Sequence, residues 1–156
     1  MTAIAAKRAE HGWVLRSGAA EGADAAFERG AVSKGGKTEI YLPFSRFRGH
    51  RSGIVASTLP TWHEAEAIAA AHHPAWHRCS AVARLLLTRN VYQILGRDLQ
   101  SPVEDVLFFA PSTTDREGRI VDASGGTGLA VRLASSLSIP CLIVRVPSPR
   151  LTLFKD

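Results

Sequence analysis

The chain has 156 residues, 46% hydrophobic and 21% charged, which fits one domain over 1–156 and excludes a disordered chain, a collagen-like repeat or a disulfide-stapled miniprotein. The net charge is +5, and the 19 basic residues are 15 Arg and 4 Lys, an excess that suits phosphate or carboxylate recognition and equally fits a GC-rich genome. No apolar run reaches the ~18 residues of a membrane span and the start lacks a signal peptide's apolar core, so a cytoplasmic protein without a membrane partner is expected.

Thr2 to His11 reads as an Ala-rich helix closed by Gly12. Trp13 to Arg16 reads as a short buried strand ending in Ser17-Gly18, and Ala23 to Arg29 as a helix with Gly30 at its end. Glu39 to Leu42 is a second strand, stopped by Pro43. Phe44 to Pro60 is irregular and carries Arg46, Arg48, His50 and Arg51, a basic surface loop. Thr61 with Glu64 matches a capping box for a helix that runs to about His73 before Pro74. A longer helix spans roughly Ser80 to Leu95, with Gly96 as its stop. Val103 to Ala110 is a buried strand and Pro111 to Arg119 a polar loop. Ser124-Gly125-Gly126-Thr127-Gly128 opens a helix over about Leu129 to Leu137. A last strand covers Cys141 to Val146, and the tail 147–156 is peripheral. Cys79 and Cys141 show no metal or redox spacing and read as reduced fillers.

Strands that alternate with helices and are apolar on both faces predict an α/β fold with a mostly parallel sheet and helices on both faces. Ligands of such sheets bind at the carboxyl ends of the strands. Two Gly-rich turns fall there. Ser17-Gly18-Ala19-Ala20-Glu21-Gly22-Ala23-Asp24 leads a strand into a helix, where small side chains allow close approach and free N–H groups suit an anion. Asp24 either caps that turn or meets a ribose hydroxyl. Gly125, Gly126 and Thr127 offer a second phosphate-compatible turn. No Lys follows it, so it is not an ATPase phosphate loop. Arg89 and Asn90, on the long helix, are further candidates for an anion and for a base or ribose.

His72-His73-Pro74-Ala75-Trp76-His77 holds three histidines, but Pro74 separates them and no acid lies beside them, so packing is favoured over a metal site. No cofactor motif appears. The catalytic candidates are Glu21 and Asp24, the only acids in a candidate site. One such carboxylate could stabilise an oxocarbenium-like centre during cleavage of a glycosidic bond to ribose.

The run Leu15 to Ala31, followed by Glu39-Ile40-Tyr41-Leu42-Pro43, resembles the phage and prophage branch of the SLOG superfamily, which joins DprA (Smf) with the LOG-type phosphoribohydrolases. His72-His73-Pro74-Ala75-Trp76, Ala83-Arg84, Arg89 to Gln93, Gly96, Gly125 to Gly128 and Ile139-Pro140 extend the resemblance over about 10–145. It implies a Rossmann-like fold that binds a nucleotide or nucleotide-derived ligand through Ser17, Gly18, Gly22, Asp24, Gly125, Gly126 and Thr127, with Arg89 and Asn90 beside them. Three departures stand out. The branch's first strand and its Gly-Ser-Arg-like loop have no counterpart, so an N-terminally shortened sheet is expected. Position 19 is Ala rather than Gly. Leu129-Ala130-Val131 stand where the LOG enzymes carry acidic residues.

Three functions follow as expectations: a nucleotide-binding module in phage–host conflict or DNA processing, a nucleotide N-glycosidic hydrolase, and a DprA-like binder of single-stranded DNA through the basic loop. A homo-oligomer is expected, since a shortened sheet exposes an edge.

Overall fold

A computed structural model describes residues 1–144. Helix α1 (Thr2–Glu10) leads into strand β1 (Leu15–Ser17), helix α2 (Ala23–Val32) and strand β2 (Thr38–Leu42). The segment expected to be irregular holds two 3-10 turns, Phe47–Gly49 and Ala56–Thr58, around a two-residue strand, β3 (Ile54–Val55). Helices α3 (Trp62–Ala71) and α4 (Ala81–Leu95) follow, then β4 (Val106–Phe108), β5 (Ser112–Thr114), β6 (Ile120–Ala123), α5 (Thr127–Ser136) and β7 (Cys141–Ile143). The expected tail, with Arg145 and Val146 of the expected last strand, lies outside the described residues.

The protein is α/β with parallel pairing, but the sheet is divided. β1, β2 and β3 form one parallel sheet and β4 and β7 a separate parallel pair. β5 and β6 form an antiparallel hairpin where a polar loop is expected. Its Ser and Thr side chains are β-compatible, and the Asp115 carboxylate fixes the turn by accepting the Glu117 and Arg119 amides. The apolar run before Pro111 yields only three strand residues. Its start is diverted because the Val103 amide donates to the last turn of α4, at Ile94 O.

Two local expectations are corrected. Gly30 does not end α2 but lies inside it, buried, where α1 crosses. A Cβ there would collide with Thr2 O and come within 2.9 Å of Ala5 Cβ. The Thr61–Glu64 capping box does not form either. Thr61 Oγ1 lies 3.2 Å from the Tyr92 hydroxyl and donates to Arg97 O at 3.0 Å, so tertiary partners outcompete the cap. Ser80 does cap α4, accepting the Ala83 amide at 3.2 Å.

The main core lies between α3, α4, α5 and β2, around Tyr41, Val91, Tyr92 and Leu129. Tyr92 stacks on Tyr41 at 5.8 Å and on Trp62 at 6.4 Å between centroids. A second cluster joins Ala5 and Phe27 to Val144, with Met1, Leu15 and Leu107 packed against it. Two polar clamps reinforce that junction of the half-sheets. Arg8 grips Asp105 with two hydrogen bonds of 2.6 Å. Arg16 donates to Glu39 at 2.7 Å and to Ser101 O at 2.5 Å. Among the described residues, no helix is long and apolar enough to cross a membrane.

Candidate functional site

A cavity of about 1020 Å³ opens between the half-sheets. Its wall includes Ser17, Asp24, Arg89, Asn90, Gly126 and Thr127, six of the ten candidates read from the sequence. Gly18 joins them through Arg89. Glu21, Gly22 and Gly125 do not line the cavity.

The first Gly-rich turn is built around Asp24. This residue stands in the first turn of α2, and its Oδ2 accepts the amides of Gly18 and Ala20, each at 3.1 Å. The clamp holds Ala19 at φ 57, a left-handed conformation that an alanine adopts at a cost. Gly22, at φ 85, makes the bend into the helix that a glycine tolerates without strain. Two amides that an anion could take are thus held by the chain's own carboxylate. Ser17 is buried and its hydroxyl donates to Glu28 Oε1 at 2.8 Å. Glu21 is exposed and pairs with Arg48. The two acidic candidates therefore act apart, one inside the turn and one on the surface.

Helix α4 brings the two turns together. The Arg89 guanidinium donates to Gly18 O and to Tyr41 O. The neighbouring Asn90 donates from Nδ2 to Gly126 O at 2.9 Å, on the second turn. A Cβ on Gly18 would occupy the space of the guanidinium, so Gly18 admits Arg89. Gly125, at φ 66, turns the chain into α5, and Gly126 precedes Thr127 at the helix start.

Arg89 is only 5% exposed. Among the described residues no carboxylate pairs with it, and its Nε has no hydrogen-bond partner. Burial pushes its pKa down to about 10, against the upward pull of the Asp24 and Glu28 charges. The Phe47 ring covers the cation, with Arg89 Cζ 5.9 Å and Arg48 Cζ 5.6 Å from its centroid.

No family model, curated protein or solved structure matches the chain.

Phe47 and Arg48 line the cavity; Phe47 was not among the sequence candidates, and Arg48 was read only as part of the basic loop. Their signal was the alternation Phe44, Arg46, Phe47, Arg48 just after the end of β2, at the same edge of the first sheet as the Ser17–Asp24 turn. Arg46 and Arg48 also have left-handed backbones, φ 58 and 48, a strain that collects at binding loops. Glu28 was missed because only the fold brings it to Ser17.

The histidine segment does other work. His72 Nδ1 lies 2.9 Å from Ile68 O and its Nε2 3.2 Å from Ser136 Oγ. His73 packs edge-on against Trp76 and near the Cys79 thiol. Among the described residues, no group of three or more His, Cys, Asp or Glu could hold a metal ion.

Proposed function

We propose that this chain is a Rossmann-like protein of SLOG type that binds a nucleotide or nucleotide-derived anion where its two Gly-rich turns meet. The observation that carries the reading is the adjacent pair Arg89 and Asn90, which reach one turn each from a single helix. A buried guanidinium without a carboxylate partner favours an anion at that point. The amide-rich starts of α2 and α5 favour one for the same electrostatic reason. The Phe47 ring offers a face on which a base can stack.

Binding is favoured over N-glycosidic hydrolysis. Asp24 is engaged by two backbone amides and Glu21 by Arg48, so neither carboxylate is held ready at the cavity. The single-stranded DNA reading is weakened by the same Glu21–Arg48 pair, which takes one basic side chain from the loop that carried it.

The test is thermal unfolding with adenosine monophosphate or pyrophosphate. At about one hundred times Kd, a bound ligand adds about 2.7 kcal/mol, which raises Tm by roughly 5–10 °C in a chain this size. Arg89→Met should abolish the rise. No rise with either compound, or an equal rise in Arg89→Met, overturns the proposal. Free base released from the nucleotide would favour the hydrolase instead.

A further inference from the structure

The connection 43–53 between β2 and β3 is tied down over the candidate anion site by its side chains. The parallel pairing of Leu42 with Val55 fixes its two ends. Between them Arg46, at φ 58, and Arg48, at φ 48, are left-handed, a conformation that a residue with a Cβ adopts only when its surroundings impose it. Side-chain contacts impose it here. The Phe47 ring packs edge-on against Phe44, 5.4 Å between centroids, and lies 5.9 Å from Arg89 Cζ. Arg48 reaches across to the first Gly-rich turn and pairs with Glu21.

Arg48 lines the cavity together with Arg89, whereas Glu21 does not. Its Cζ lies 5.6 Å from the same Phe47 centroid that Arg89 approaches. Two cations therefore meet one ring at the cavity wall. Among the described residues, Glu21 is the only carboxylate paired with either of them. That pair is open to water, with the Arg48 side chain 42% and the Glu21 side chain 86% exposed, so solvent and salt screen it. Arg89 is the opposite case, buried and with an Nε that nothing accepts. An anion beside it, inside the cavity, attracts a second guanidinium more strongly than a hydrated surface carboxylate does. The planar fork of an arginine suits two oxygens of a phosphate.

We propose that Glu21 is an internal competitor of the ligand: in the free protein it holds Arg48, and a phosphate-type anion bound at Arg89 takes Arg48 from it as a second guanidinium. This rests on the anion reading of the Arg89 site and adds to it one residue that binds and one that opposes binding. The released Glu21 carboxylate is already hydrated, so parting the pair costs little. The exchange fixes a sign. Loss of Glu21 strengthens anion binding, whereas loss of an acid that touches the ligand weakens it.

Isothermal titration of the full chain with pyrophosphate, at low and fixed ionic strength, tests this in four proteins: the wild type, Glu21→Gln, Arg48→Gln and the double variant. Both residues are exposed, so the substitutions leave the fold in place. Glu21→Gln should tighten binding about threefold, the worth of an exposed pair. Arg48→Gln should weaken it about fivefold, through the loss of a charge-assisted contact. In the Arg48→Gln background, Glu21→Gln should change Kd by less than about 1.5-fold, because the competitor has nothing left to hold. Three results overturn the proposal. One is unchanged or weaker binding by Glu21→Gln. Another is equal tightening in both backgrounds, which is bare repulsion between Glu21 and the anion. The third is wild-type affinity in Arg48→Gln. Where the wild type binds and Arg89→Met does not, any of these removes the exchange and leaves the anion site standing. No binding by any of the four proteins overturns both.

Discussion

Asp24→Ala removes the acceptor that organises the first Gly-rich turn. Two amide-to-carboxylate hydrogen bonds of 3.1 Å are lost. Such bonds are worth about 1.5–3 kcal/mol each when buried, and the half-buried position of Asp24 brings each to about 1 kcal/mol. The acidic group in the first turn of α2 adds about 0.5 kcal/mol against the helix dipole. The left-handed Ala19 relaxes once the clamp is gone, returning about 1 kcal/mol. The expected net loss is about 1.5 kcal/mol. Asp24→Asn keeps a carbonyl acceptor and should lose about half as much. Urea unfolding at neutral pH measures both, with unchanged m-values as the check that the folded state is intact. The freed amides should also take up an external anion, so sulfate should stabilise Asp24→Ala more than the wild type. A loss under about 0.5 kcal/mol, or a sulfate response equal to the wild type, refutes the clamp.

Tyr41 is fully buried, and burial, aided by the Glu39 charge, pushes its hydroxyl from 10.0 up to about 12. An acid whose pKa rises on folding keeps its proton where the unfolded chain has lost it. Stability therefore falls across this window, by about 2 kcal/mol, and Tyr41→Phe should flatten that part of the decline in urea melts below pH 10 and near pH 12. Gly30→Val should cost about 1–3 kcal/mol through overpacking of α1 on α2, read as a lower urea midpoint. Arg8→Met should lose about 1 kcal/mol, because the Arg8–Asp105 pair is only partly buried. A double-mutant cycle with Asp105→Asn isolates the coupling.

The sequence carried much of the helical framework. α2 begins at Ala23 as expected from Gly22, and α4 spans nearly its full expected length, because Ser80 and Gly96 are local start and stop signals. Both Gly-rich turns fall at strand-to-helix junctions for the same reason. What local patterns did not carry depends on distant partners. Gly30 looks like a helix end until α1 lies against it. Thr61 looks like a capping residue until Tyr92 and Arg97 compete for it. The division of the sheet is a property of which strand lies beside which, and no residue pattern within 103–110 or 13–17 encodes its neighbour.

Arg89 and Asn90 have a geometric consequence for the two turns. Consecutive residues on a helix diverge by about 100° and differ by about 1.5 Å in height. Each reaches a different turn, and the backbone between them is buried from Leu87 to Tyr92. The pair acts as a gauge: it sets the span between the turns before anything binds. A tilt of α4 moves both contacts together, so the spacing of the two turns follows this one helix.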